Sequence, residues 1–227
     1  MTFDFYETLV YHRTGQGRGA ALMEYLRSQA LESELWEHQV LYDIFEHHAV
    51  DYSPDLSEDG RQRYFRQLTK RLFLRLKVQA PAGAERHHAE KVWELLGPDS
   101  FAVFPKVLEV LGRLKKAGYP TAVISNWQHG LGNFCRELGL DPFFEHIVAS
   151  AEVGYEKPDR EIFRKVCRDL GSTPDTVLHV GDSPVDDLQG ARGAGFQAVL
   201  LRREPSAGNP QRPVIFDLRE LIEILGL

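Results

Sequence analysis

Four short stretches carry residues able to do chemistry. Phe3-Asp4-Phe5-Tyr6-Glu7-Thr8-Leu9 sets a carboxylate at the end of an apolar run, then a polar turn and a hydroxyl. A carboxylate delivered in this way can attack phosphorus or carbon and form an intermediate that water then hydrolyses. Ala122-Val123-Ile124-Ser125-Asn126 ends an apolar strand in a hydroxyl and an amide, ahead of a helical pattern. A hydroxyl and backbone N–H groups at such a junction make an anion site. Glu156-Lys157-Pro158-Asp159 places a lysine just before a helix start. Val177-Leu178-His179-Val180-Gly181-Asp182-Ser183-Pro184-Val185-Asp186-Asp187 is a strand that runs into an acidic loop. Carboxylate and carbonyl oxygens alone suit a hard cation such as Mg²⁺, which retains waters and binds phosphate oxygens.

The surrounding pattern says what must position these residues. From Pro105 onward strands alternate with helices. The periodicity predicts helices at 105–117, about 130–138, 158–170 and 184–194, and strands at 121–125, 146–150, 176–181 and 196–201. Asp217 to Leu227 reads as a closing helix with Asp217 as its N-cap. Such alternation specifies a parallel sheet with helices on both faces. Ligands of such sheets bind outside the carboxyl ends of the strands, where all four stretches lie. The region from about Arg18 to Gly97 differs. Ala21, Leu22, Tyr25 and Leu26 recur at helical spacing, as do Leu41, Ile44 and Phe45. Tyr64, Leu68, Leu72 and Leu76 form an i, i+4 stripe, and Val92, Trp93, Leu95 and Leu96 run up to a stop at Gly97-Pro98. With Pro54 and Pro81 as breaks, this is a bundle of about four helices inserted after the first strand, Thr2–Phe5.

These stretches, in this order and at these separations, resemble the four motifs of the haloacid dehalogenase (HAD) superfamily in its helical-cap branch. The resemblance covers the whole chain. It implies an α/β fold, a Rossmann-like parallel-sheet core of residues 1–13 and 101–227 with an inserted α-helical bundle cap of residues 14–100. It implies Asp4 as nucleophile, Thr8 orienting Asp4 or the substrate oxyanion, Ser125 and Asn126 at the anion site, and Lys157 as the fixed charge facing Asp4. It also implies Mg²⁺ held by Asp4, the Tyr6 carbonyl and Asp182, with Asp187 or else Asp186 as the second acid. Tyr6 departs from the phosphatases of the superfamily, which carry there a second Asp that protonates the leaving group. Phenol, with a free pKa of about 10, is a poor substitute. Glu7 stands where Gly is common, which strains the turn.

Three functions follow as expectations. The first is a Mg²⁺-dependent phosphatase of a small phosphomonoester, working through an aspartyl-phosphate. The second is a 2-haloacid dehalogenase, since those enzymes share Tyr at position 6 and halide leaves without a proton. They carry Ser and Asn in the fourth motif, however, and a Trp-Arg stretch early in the cap, where this chain has Trp36-Glu37-His38-Gln39. The third is a weakly catalytic HAD-fold binding protein.

Composition narrows the field. Hydrophobic content of 43% with 26% charged residues is that of a soluble globular chain of 227 residues, enough for one or two domains. A net charge of −6 gives no general attraction to nucleic acid or an anionic membrane. The expected partner is a small anionic substrate, and the oligomeric state stays open. Cys135 and Cys167 are too few for a disulfide framework and read as buried thiols. With no signal segment or membrane-length apolar run, the expected location is cytoplasmic. His47-His48 and His87-His88 are adjacent pairs that diverge on a helix and make no chelate face. Arg61, Arg63, Arg66, Lys70, Arg71, Arg75 and Lys77 form a basic run, matched in principle by Glu32, Glu34, Glu37, Asp43 and Glu46. His12 and Arg13, at the hinge into the cap, are candidates to face the substrate.

Overall fold

The computed structural model describes residues 1–31, 33, 58–78, 83–203 and 213–227. The described strands are β1 (Thr2–Phe3), β2 (Val10–His12), β3 (Phe101–Val103), β4 (Ala122–Ser125), β5 (His146–Ala149), β6 (Leu178–Gly181), β7 (Gln197–Leu201) and β8 (Val214–Ile215). Six of them form one sheet in the order β5-β4-β1-β6-β7-β8, and each pairing in it is parallel. β2 and β3 pair as a separate two-stranded sheet. The chain divides into two compact units, one of Met1–Tyr11, Val103–Asn126 and Leu131–Leu227, the other of His12–Ala102 and Trp127–Gly130.

The first unit is a Rossmann-like α/β fold, and its packing follows from strand alternation. Ala122 and Ile124 of β4, Val148 of β5 and Ala198 and Leu200 of β7 share a core with Ile162, Phe163, Val166, Cys167, Leu188 and Ala191. Val123 points to the opposite face and is buried as well, so β4 is covered on both sides, as a parallel strand must be. The helix Arg160–Asp169 starts where Asp159 accepts the Glu161 N–H at 2.9 Å. Its buried Ile162, Phe163, Val166 and Cys167 form one stripe. Both cysteines are buried and unpaired with one another.

Some predicted elements change in extent. β1 stops at Phe3, because the chain turns sharply between Phe5 and Val10. β6 begins only at Leu178, since Pro174–Thr176 form a 3₁₀ turn. The helix predicted from 184 opens as a π-helix, Pro184–Gln189, and continues as one α turn, Gly190–Gly193. The closing helix is shorter than predicted, Glu220–Ile224, with Arg219 at its cap position. Asp217 lies one turn earlier and accepts the Arg219 N–H, while the Glu220 carboxylate takes the Phe216 and Asp217 N–H groups. β2, β3 and β8 carry too few residues to show a period in sequence.

In the second unit the described residues hold three helices, Arg18–Ser28, Glu58–Arg75 and Glu85–Leu96. Leu22, Tyr25 and Leu26 pack with Tyr64, Leu68, Leu72, Leu76, Val92 and Leu96, as the periodicity predicts. Arg63, Arg66, Lys70, Arg71, Arg75 and Lys77 are exposed, so the basic run is largely a solvated helix face. His88 is buried with its Nδ1 2.7 Å from the Tyr25 hydroxyl, a packing role. Leu41, Ile44, Phe45, His47-His48, the stretch Trp36–Gln39, Pro54, Pro81 and the acids Glu32, Glu34, Glu37, Asp43 and Glu46 lie outside the described residues. None of the described helices is long and apolar enough to cross a membrane.

The phase of the helix Glu58–Arg75 is open to test. Leu72 is 1% exposed and Leu74 is 79% exposed. Leu72→Ala should lower stability by about 2–5 kcal/mol in denaturant melts. Leu74→Ala should stay within about 0.5 kcal/mol of the parent. Similar losses from both would mean the helix is rotated.

Candidate active site

In the six-stranded sheet the strand order runs outward in both directions from β1, with β4 on one side and β6 on the other. Residues just past the carboxyl ends of these strands therefore converge. Asp4 follows β1, and its backbone N–H continues the ladder to the Val180 carbonyl at 2.9 Å. Its carboxylate is buried. Ser125, the last residue of β4, donates its hydroxyl to Asp4 Oδ1 at 3.0 Å. Lys157 Nζ donates to the same oxygen at 2.6 Å.

Lys157 is held at both ends. The Asn126 side chain accepts the Lys157 backbone N–H at 2.7 Å and donates to the Lys157 carbonyl at 2.9 Å. Both amide atoms of Asn126 are thus bonded to the backbone of Lys157. The ammonium, 4% exposed as a residue, also donates to Asp187 Oδ1 at 2.6 Å. Asp187 further accepts the Ser183 N–H on Oδ2 at 2.9 Å and faces His179 Nε2 through Oδ1 at 3.0 Å.

The π-helix decides which acid enters the site. The backbone N–H groups of Asp187 and Leu188 both reach the Ser183 carbonyl, at 3.2 and 3.1 Å. This wide turn points Asp187 inward, a use of π geometry common at functional sites. Asp186 stays half-buried and exchanges hydrogen bonds with the Ser183 hydroxyl, both at 3.1 Å. Gly181 completes the fit, since a Cβ there would fall 2.1 Å from Asp187 Cγ. One carboxylate oxygen from each of Asp4, Asp182 and Asp187 lies within 4.8 Å of the other two. Asp186 is outside that group.

Of three clustered carboxylates two share one ammonium, and their ionisation reflects it. Burial pushes Asp4 above the usual carboxylate range, with Asp187 adding repulsion and Lys157 opposing both. Asp187 has the same lysine but goes the other way. Burial works against its charge, yet Lys157 and His179 outweigh burial and hold it well below the usual range. Lys157 is likewise pushed up, because the two carboxylates outweigh the effect of its burial. Asp182 has no such ammonium partner. Burial, then the charges of Asp4 and Asp187, raise it to about 7. The Thr8 hydroxyl donates to Asp182 Oδ1 from 3.4 Å. Thr8 therefore reaches toward Asp182 and not toward Asp4. An all-oxygen cluster with excess negative charge is the donor set of a hard divalent cation, so the residues fit one.

Tyr6 lies two residues past Asp4, half-buried, and bridges to Val10. Glu7 has a φ of 59°, in the region that favours glycine. That conformation costs a non-glycine residue about 1–2 kcal/mol, as its place in the turn predicts. His12 turns its ring into the helical unit. It is buried, with Nδ1 2.8 Å from the Thr14 hydroxyl and Nε2 2.7 Å from the Leu95 carbonyl. Both ring nitrogens are engaged in the helical unit. Arg13 donates from Nε to the Asp99 carbonyl at 2.9 Å.

Two residues at this site are not singled out by the sequence patterns. Arg203, just past β7, donates to the Thr8 carbonyl at 2.6 Å, with its guanidinium 3.4 Å from the Phe104 ring centroid. It lies 195 positions from Thr8, so no local pattern announces it. His179 is a fully buried histidine in an otherwise apolar strand, and that anomaly was a readable signal.

Known proteins share the family and the fold. A family model described as haloacid dehalogenase-like hydrolase matches residues 1–195. A glyceraldehyde 3-phosphate phosphatase of Methanothermobacter thermautotrophicus is 34% identical over 187 residues, 75% of this chain and 78% of that protein. A HAD phosphatase from Thermococcus onnurineus shares the fold, with a TM-score of 0.69 at 21% identity over 99% of this chain and 96% of that one. A 2-haloacid dehalogenase from Pseudomonas syringae pv. Tomato superposes with a TM-score of 0.65 at 26% identity, over the same shares.

The ionisation of Asp182 has a consequence for stability. Its native pKa of about 7 lies above the unfolded value, so the native state holds a proton that the unfolded chain has lost. That stability is present at low pH and disappears as pH rises through about 7. Asp182→Asn should therefore raise the melting temperature in EDTA at pH 8 and change it much less at pH 5. Each kcal/mol gained corresponds to about 2–4 °C for a chain of this size. Equal shifts at both pH values would show that Asp182 titrates as an ordinary surface acid.

Proposed function

Because this chain belongs to the haloacid dehalogenase-like hydrolase family, we propose that it is a Mg²⁺-dependent phosphatase of a small phosphomonoester. The observation that carries this reading is the gathering of Asp4, Asp182 and Asp187, with Lys157 paired to Asp4 and Asp187. Asp4 attacks phosphorus, the alcohol leaves, and an aspartyl-phosphate forms. Water then attacks that phosphoryl group, releasing phosphate and returning the Asp4 carboxylate. Ser125 orients Asp4 through its hydroxyl, and Lys157 offers a fixed charge to Asp4 and the transferring group. Asn126 holds Lys157 in register. Asp4, Asp182 and the Tyr6 carbonyl would hold Mg²⁺, with Asp187 as the second acid in preference to Asp186. When bound, Mg²⁺ supplies positive charge to the phosphoryl oxygens.

The helical unit fits the role of a cap that selects the substrate, a small anionic molecule. The glyceraldehyde 3-phosphate phosphatase among the relatives supports a phosphorylated metabolite of low mass. Two free buried cysteines suit the reducing cytoplasm.

Tyr6 and the dehalogenase neighbour favour a second reading, hydrolysis of a 2-haloacid by the same Asp4. Two features weigh against it. The fourth motif is an acid cluster, and the Asn126 amide is engaged with the backbone of Lys157 at both atoms. A weakly catalytic binding protein remains the third reading, and measured turnover with Mg²⁺ separates it from the first two.

The deciding experiment is a hydrolysis screen over phosphomonoesters and 2-chloropropionate, with Mg²⁺ and with EDTA. Phosphate release that needs Mg²⁺ is the expected result. Chloride release that survives EDTA selects the dehalogenase reading, and no turnover selects the binder. Asp4→Asn keeps the shape and removes the attacking charge, so turnover should fall at least about 10³-fold. Activity within tenfold of the parent would reject Asp4 as nucleophile.

Tyr6 predicts a slow phosphatase for poor leaving groups. Leaving-group protonation is worth about 10² to 10⁴ in rate, and a phenol supplies little of it. Aryl phosphates should outpace alkyl phosphates steeply in the parent, and Tyr6→Asp should flatten that dependence. Equal rates on both esters in the parent would assign the proton to another group.

A further inference from the structure

We propose that His179 is a positioning residue that aims the Asp187 carboxylate at the divalent cation and at Lys157. The inference rests on the phosphatase reading above and concerns a residue of the fourth stretch to which the sequence pattern gives no role. His179 is fully buried in β6, beside Thr2 of β1 in the parallel register. Its Nε2 lies 3.0 Å from Asp187 Oδ1, and its Nδ1 lies 2.9 Å from the Thr2 hydroxyl. The Phe163 ring meets it edge to face, with centroids 5.4 Å apart at 88°. Every degree of freedom of the imidazole is thus taken by a partner.

The consequence lies in the lone pairs of Asp187. An ionised carboxylate only accepts, so the ring nitrogen facing it carries a proton and donates. Oδ1 then takes two donors, Lys157 Nζ at 2.6 Å and His179 Nε2 at 3.0 Å. Oδ2 takes the Ser183 N–H at 2.9 Å. A carboxylate has about four acceptor positions. Three are filled by protein donors, and the one that remains is on Oδ2, the oxygen left for the cation or its water. Without His179, Asp187 keeps one donor on each oxygen, Lys157 and the Ser183 N–H, and its carboxylate plane is held less tightly. Partners behind a metal ligand orient it in this way, and losing one typically costs about 10- to 100-fold in metal affinity or activity.

A purely structural histidine would also be buried and bonded, so the test must separate the two roles. Gln places an amide N–H near the position of Nε2, whereas Asn reaches only as far as Nδ1. Leu fills the space with no donor. The readout is the Mg²⁺ dissociation constant by calorimetry, beside metal-free melting curves that verify folding. His179→Leu and His179→Asn should weaken Mg²⁺ by about tenfold or more, and His179→Gln should stay within about threefold of the parent. Equal affinity in all three folded variants overturns the inference, and so does loss in Gln as large as in Asn. Should none of the variants fold, the ¹⁵N-histidine spectrum of the parent decides. The His179 ring N–H should shift as Mg²⁺ is added, and an unmoved signal overturns the proposal. A parent that binds no Mg²⁺ overturns the phosphatase reading, and this inference falls with it. A parent that binds Mg²⁺ equally with its Leu and Asn variants defeats the inference alone.

Discussion

The sharing of one buried ammonium between two carboxylates organises this molecule's chemistry. Lys157 Nζ lies 2.6 Å from Asp4 and 2.6 Å from Asp187. Removing a charge from water costs several kcal/mol unless partners and geometry are good. Here the partners are themselves fixed. Asn126 clamps the lysine backbone, Ser125 holds Asp4, and His179 with the Ser183 N–H holds Asp187. Asp182 has no ammonium of its own, and burial with the charges of Asp4 and Asp187 raises its carboxyl to about 7. A site with one under-compensated carboxylate beside two well-held ones is prepared for a cation.

The sheet makes this arrangement affordable in geometric terms. Asp4, Ser125 and Asp182 each sit at or just beyond the end of one of three adjacent parallel strands, so one surface receives all of them. Lys157 arrives from the loop ahead of Arg160–Asp169, and Asp187 from the π-helix. Gly181 and Gly190 allow close approach. A Cβ at Gly190 would lie 2.9 Å from Pro158 Cα, next to the catalytic lysine candidate. The backbone of the π-helix is thereby pressed against the segment that carries Lys157. Arg203 braces the turn after Asp4 by holding the Thr8 carbonyl. The strained Glu7 belongs to that same turn.

Much of this was legible in the chain. The alternation of period-2 and period-3.6 patterns after Pro105 reports a parallel α/β sheet, because strands buried on both faces must be apolar throughout. The stripe Tyr64, Leu68, Leu72 and Leu76 reports the buried face of a helix, and each of the four is in the core. Asp4, Ser125 and Asp182 stand out because reactive side chains follow apolar strands directly, and Lys157 because it comes just before a helix start. Boundaries were less readable. A cap such as Asp217 signals a turn, but the regular helix begins only at Glu220. A two- or three-residue strand such as β8 has no period to detect.

What the sequence by itself determined is which reactive side chains stand next to strand and helix ends, since periodicity is a local property. What only the tertiary structure decided is which atoms touch. Asp186 and Asp187 are neighbours with identical side chains, and a single π turn selects between them. The Asn126 side-chain amide is engaged with the Lys157 backbone, 31 residues away. His12 looked like a hinge residue facing a ligand, and packing engaged both its nitrogens elsewhere. His179 and Arg203 are each also held by a partner far along the chain, Thr2 at 177 positions and Thr8 at 195. Contacts of that range depend on how strands and loops are brought together in space, and no local pattern records them.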